Sequence, residues 1–117
     1  MTLSTRGRRY TRAMRSHRWI DERSQALHSA VAAKLEARPE LLDVARQNLQ
    51  RWLSTRPAAA LLEWQVLLDG ARLSEIIDLL RSATPDAARL RQSSPFAGVL
   101  SPGERQSILD IYESRRA

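Results

Sequence analysis

Three features of this chain predict an all-α fold, a compact bundle of about five to six short helices preceded by a flexible basic N-terminal arm. Leucine and alanine dominate the apolar residues while aromatics make up 5% of the chain, a mixture that favours helix over sheet. Pro39, Pro57, Pro85 and Pro102 each suit the first turn of a helix, where a missing N–H costs nothing. No strand-like alternation is long enough to interrupt the helical spacing of apolar positions.

The first helix is expected from Trp19 to Ala37, with Ile20, Leu27, Val31 and Leu35 on one stripe and Ala30 and Lys34 beside it. The second, from Pro39 to Leu53, turns Leu42, Ala45, Leu49, Trp52 and Leu53 inward. The third, from Pro57 to Leu68, offers Leu61, Trp64, Leu67 and Leu68. Asp69-Gly70 ends it, with glycine free to take the left-handed conformation of a helix stop. A fourth short helix carries Leu73, Ile76, Ile77 and Leu80. Thr84-Pro85-Asp86 opens a fifth, with a Thr cap and an acid facing the positive end of the helix dipole. The sixth, from Pro102 to Arg115, begins with a capping box, Ser101-Pro102-Gly103-Glu104, and presents Ile108, Leu109 and Tyr112. Short linkers make consecutive helices neighbours, so residues 19–117 read as a single helical domain. The exception is the longer segment from Gln92 to Leu100.

Charge divides the chain in two. Its 19 basic and 13 acidic residues leave a net charge of +6, and the whole excess lies in residues 1–18. That arm carries Arg6, Arg8, Arg9, Arg12, Arg15 and Arg18 and no acid, whereas the remainder balances its charges. Guanidinium stays protonated and its fork of donors suits phosphate and carboxylate oxygens, so the arm points to a nucleic acid or an acidic protein surface. Arginine at every third position from Arg6 to Arg18 aligns on a polyproline-II-like strand, while an α-helix groups Arg8, Arg12 and Arg15. Gly7 and the hydroxyls of Ser4, Thr5 and Thr11 favour an arm that orders on contact. Such an arm binds DNA with little sequence preference. A helix-turn-helix over Leu61 to Leu80 is disfavoured, because Glu75 and Asp78 balance Arg72 and Arg81 and Asp69 stands beside the turn glycine.

Several function classes are excluded. Without cysteine there is no disulfide, thiolate metal site or cysteine nucleophile. Neither HExxH, GxSxG nor a glycine-rich phosphate loop occurs. His17 and Asp21 lie four apart, but one histidine and one acid beside Arg15 and Arg18 make a poor metal site. No enzyme, cofactor or metal is expected. No stretch approaches the roughly 18 to 20 apolar residues of a membrane span, and residues 1–18 lack the apolar core of a secretory signal. A soluble, cytoplasmic protein is expected. The acid-poor start also has the composition of an organellar transit peptide, although Leu3, Tyr10 and Met14 make a thin apolar face.

A second candidate site surrounds Phe96. Arg89, Arg91 and Gln92 lead into a stretch where Pro95 and Gly98 direct the path and Phe96, Val99 and Leu100 seek cover. Either the three apolar side chains enter the chain's own core, or they form a hook for a protein partner with Arg89 and Arg91 as hydrogen-bonding anchors.

The strings Arg18-Trp19-Ile20-Asp21-Glu22-Arg23-Ser24 and Arg91-Gln92-Ser93-Ser94-Pro95-Phe96, the latter continuing to Ser101-Pro102-Gly103-Glu104-Arg105, together with the basic arm and helical body, resemble small antitoxins of bacterial toxin–antitoxin pairs. The resemblance implies a non-catalytic protein that binds and neutralises a toxin-like partner, often with a second region on the operon's own DNA. Many antitoxins pair a DNA-binding fold with a disordered toxin-binding tail, whereas here the tail is basic and the body folded. The body is then the expected toxin-binding part, and a homodimer is compatible with it. The alternative expectation is a nucleic-acid-binding accessory protein acting through the arm.

Overall fold

The computed structural model describes the backbone of residues 2–116 and the side chains of residues 18–113. Its helices are α1 (Thr2–Ala37), α2 (Leu42–Thr55), α3 (Ala59–Gly70), α4 (Leu73–Arg81), α5 (Pro85–Arg91) and α6 (Pro102–Arg116), with a 3-10 turn at Pro39–Leu41. No strand occurs among the described residues, so the fold is all-α as expected. α1 starts at Thr2 rather than at the expected Trp19. Arg6, Arg8, Arg9, Arg12, Arg15 and His17 fall outside the described side chains, as does the arm's expected flexibility; of its arginines, only Arg18 is described, and it is exposed.

The strongest cap is the one the sequence signs most clearly. Ser101 N donates to Glu104 Oε1 at 2.8 Å and Glu104 N donates to Ser101 Oγ at 3.1 Å, satisfying two helix-end donors reciprocally. Thr84 Oγ1 accepts from Ala87 N at 3.3 Å at the start of α5. Two expectations are corrected at the earlier prolines. Pro39 opens the 3-10 turn ahead of α2, and Pro57 precedes α3 without entering it. A residue before proline is driven out of the helical region, and Arg56 accordingly lies at φ −149°, ψ 85°. Ala58 is extended too, so α3 starts only at Ala59. Nor does Gly70 turn left-handed. The helix ends through an extended Ala71 whose N–H donates to Leu67 O at 2.9 Å, and the one described positive φ belongs to Gly98, at 91°.

One cluster unites Val31, Ala32 and Leu35 of α1 with Leu49 of α2, Trp64 and Leu68 of α3, Ile76 and Leu80 of α4, and Phe96 and Val99. α1 is the central element, packing chiefly on α4 and also on α5 and α6, while α2 packs on α3. Its expected stripe holds for Val31 and Leu35, but Ile20 is 46% exposed. Ile20 stands more than a turn before Gln25, whose Nε2 donates to Arg81 O at 3.2 Å, and it lines an open depression instead. α6 is tied across α1 at two heights: Trp19 Nε1 donates to Tyr112 O at 3.2 Å, and Lys34 Nζ pairs with Glu104 Oε1 at 2.5 Å.

Candidate partner-binding groove

The segment from Gln92 to Leu100 folds inward. Phe96 is 4% and Val99 2% exposed, and the Phe96 ring meets Trp64 edge-on at 5.4 Å and His28 at 6.5 Å. The backbone is held from α2 by buried Asn48, whose Nδ2 donates to Pro95 O and Ala97 O, each at 2.8 Å. Asn48 Oδ1 accepts from Arg51 Nη2 at 2.6 Å. Trp64 Nε1 donates to Leu90 O at 2.8 Å and fastens the end of α5. Of the two roles open to the segment, Phe96 and Val99 take the internal one, because the aromatic seat between α1 and α3 removes more apolar surface from water than a free loop could. They are not available as a hook.

The other residues of that candidate site separate. Arg89 is exposed and engaged, donating to Glu63 through Nη1 and Nη2 at 2.8 Å each and to Asp86 at 2.9 Å. Its guanidinium holds the Glu63 carboxyl below the usual carboxylate range. Leu100 is half-buried. Arg91 is 6% exposed, and its only side-chain hydrogen bond among the described residues runs from Nη1 to Ser82 O at 2.6 Å. Its Nε is buried with no hydrogen-bond partner among the described residues. Burial lowers the Arg91 pKa from its usual value, with nearby Asp21 pulling the other way.

Arg91 forms part of a groove bounded by α1, α5, the inward segment and the first turn of α6. One end is a depression of about 410 Å³ lined by Asp21, Arg23, Ser24, Arg91, Gln92 and Arg105 among others. The second, about 650 Å³, is walled by Val31, Phe96 and Leu100 and by the buried His28. The two share Leu27 and Arg105 as walls and so adjoin, the first lined by cations and the second largely apolar. At the cationic end three arginines and one acid, Asp21, line the depression. Arg23 lies over the Trp19 ring at 4.9 Å, a stacking that limits its reach to this side of α1. In the wall of the apolar depression, His28 Nδ1 donates to Ser24 O at 2.7 Å. Desolvation lowers the His28 pKa; the Ser24 hydrogen bond opposes the shift and the Arg91 charge adds to it.

Sequence reasoning missed Arg23, Leu27, His28 and Arg105 as parts of one site, since they meet only when α1 and α6 pack. One signal was present: Arg105 occupies the first turn of α6, where a cation opposes the helix dipole. Elsewhere, α3 turns Leu62 (48% exposed) and Val66 (72%) outward. Among the described residues no group of acids and histidines has the arrangement to hold a metal, and no helix is long and apolar enough to cross a membrane. No family model, curated protein or solved structure matches the chain.

Proposed function

We propose that this chain is a non-catalytic binding protein that neutralises a toxin-like protein partner, and that the groove between α1 and α6 is where its body takes hold of that partner. One observation carries the reading: a depression lined by three arginines adjoins an apolar trough, and the buried Arg91 Nε beside it has no hydrogen-bond partner among the described residues. Recognition sites combine such an apolar wall with a few placed polar groups. Arg91 and Leu100 retain the partner-binding role assigned from the sequence, joined by Arg23, Leu27 and Arg105. The antitoxin character rests on the sequence resemblance.

The arm favours a second reading, binding to nucleic acid. Its arginines, uninterrupted by acid, suit a phosphate backbone, either as the main activity or as operator binding beside the toxin-binding body. Affinity capture with the full chain, with and without nuclease, separates the two. A stoichiometric protein retained after nuclease supports the binding protein, whereas recovery of nuclease-sensitive material alone overturns it. Replacing Arg6, Arg8, Arg9, Arg12 and Arg15 by Gln abolishes capture if the arm is the main site and preserves it if the groove is.

A further inference from the structure

Arg91 presents an unusual electrostatic problem. A buried cation normally has a carboxylate partner, yet no ion pair to Arg91 exists among the described residues; Asp21 acts on it only through space. The Ser82 carbonyl accounts for Nη1 alone. Nε and Nη2 lie side by side on one edge of the planar guanidinium, and neither donates to a group among the described residues. That edge is the one that meets both oxygens of a carboxylate in a bidentate pair. Arg23 and Arg105 stand around the same depression, and neither forms a salt bridge within the described chain.

The adjoining trough narrows the ligand class. A carboxylate seated at Arg91 has an apolar depression next to its own, with Leu27 as the shared wall and Phe96 and Leu100 beyond it. A nucleic-acid backbone is a repeating, polar anion with no aliphatic group to place there, and a duplex cannot enter a depression of about 410 Å³ to reach a guanidinium that is 6% exposed. An acidic side chain on a peptide, followed by an aliphatic one, matches both halves. We propose, resting on the partner-binding reading above, that Arg91, Arg23 and Arg105 form a carboxylate subsite for an acidic-aliphatic peptide segment of the partner, with the aliphatic side chain in the Leu27–Leu100 trough.

The subsite is tested on the full chain, isotopically labelled, by following the Arg91 Nε–H resonance, assigned by its loss in Arg91→Met. The probes are the capped peptide acetyl-Leu-Glu-Leu-amide, its Gln counterpart and inorganic phosphate. The Glu peptide shifts the Arg91 signal saturably, at about 1 mM. The Gln peptide binds about tenfold more weakly, the difference between a charge-assisted and a neutral hydrogen bond. An Arg23→Gln, Arg105→Gln double variant, altered only at groove-lining surface positions, weakens the Glu peptide by about tenfold as well. No shift, or an equal response to both peptides, overturns the carboxylate subsite, because the edge is then closed to an anion or the binding is merely apolar. A phosphate response as strong as that of the Glu peptide makes this a general anion site and overturns the peptide assignment. The partner-binding reading has its own failure. If the double variant captures the nuclease-resistant partner as well as the native chain does, the subsite falls and partner binding stands; if no such protein is captured at all, partner binding itself falls.

Discussion

Asn48 and Arg91 are both buried polar residues beside the same inward segment, 5% and 6% exposed, and they differ in how fully the fold uses them. Asn48 makes three hydrogen bonds of 2.8 Å or less, and every one secures the segment or its own neighbour on α2. Among the described residues Arg91 makes one and its Nε has no partner. A satisfied buried polar group fixes a conformation, while a half-satisfied one carries a desolvation cost that a ligand can relieve. The first is architecture; the second marks where the molecule has capacity left.

The contrast breaks most severely where the segment enters the core. Phe96→Ala is expected to cost about 3–5 kcal/mol in urea unfolding, since it empties the space between Trp64 and His28. Asn48→Ala follows at about 2–3 kcal/mol, because the carbonyls of Pro95 and Ala97 lose their buried donor. Arg91→Met is expected to change stability by about 1 kcal/mol or less in either direction, removal of a poorly compensated cation offsetting the lost Ser82 bond. A loss as large as that of Asn48→Ala would show that the fold relies on Arg91 fully and would erase the distinction.

Two titrations sharpen the comparison. His28 has its pKa lowered in the folded chain, so the unfolded chain binds the proton more readily and stability declines as pH falls below the unfolded value of 6.5. Melting temperature should therefore drop from neutral pH toward the lower folded pKa, and His28→Gln should flatten that slope. Because Arg91 contributes to the shift, Arg91→Met should move the His28 ring titration upward by NMR. The smallest effect lies on the surface. Lys34 and the Ser101 cap hold Glu104 to about 2, below its ordinary 4.5. A depressed acid contributes fully above its unfolded pKa, so the α1–α6 tie weakens only as pH falls from about 4.5 toward about 2. Lys34→Met should raise the Glu104 titration midpoint.

The helices were legible because their signals are local. Ser101 and Glu104 needed only each other to cap α6, and the spacing of Ile76, Ile77 and Leu80 marked the inner face of α4 before any partner was known. Proline was less informative than its position suggested: Pro57 acted on Arg56 before it, and extended Ala58 after it delayed α3. The candidate site was legible only in fragments. Arg91 and Leu100 could be singled out as part of a segment seeking contacts, but nothing in one dimension separates an arginine that is engaged, such as Arg89, from one that is not.

By itself the sequence determined an all-helical body, the end of α1, the starts of α5 and α6 with their capping chemistry, and a charge excess confined to residues 1–18. Those properties follow from interactions between residues a few positions apart, or from composition. Only the tertiary structure decided that Phe96 and Val99 are core, that Ile20 is exposed, and that Arg23, Arg91 and Arg105 surround one depression with one acid. Burial and the partnering of charge depend on which distant helix arrives beside a residue. α1 and α6 are brought together by Trp19 with Tyr112 and Lys34 with Glu104, contacts between residues far apart in the chain that no local pattern encodes.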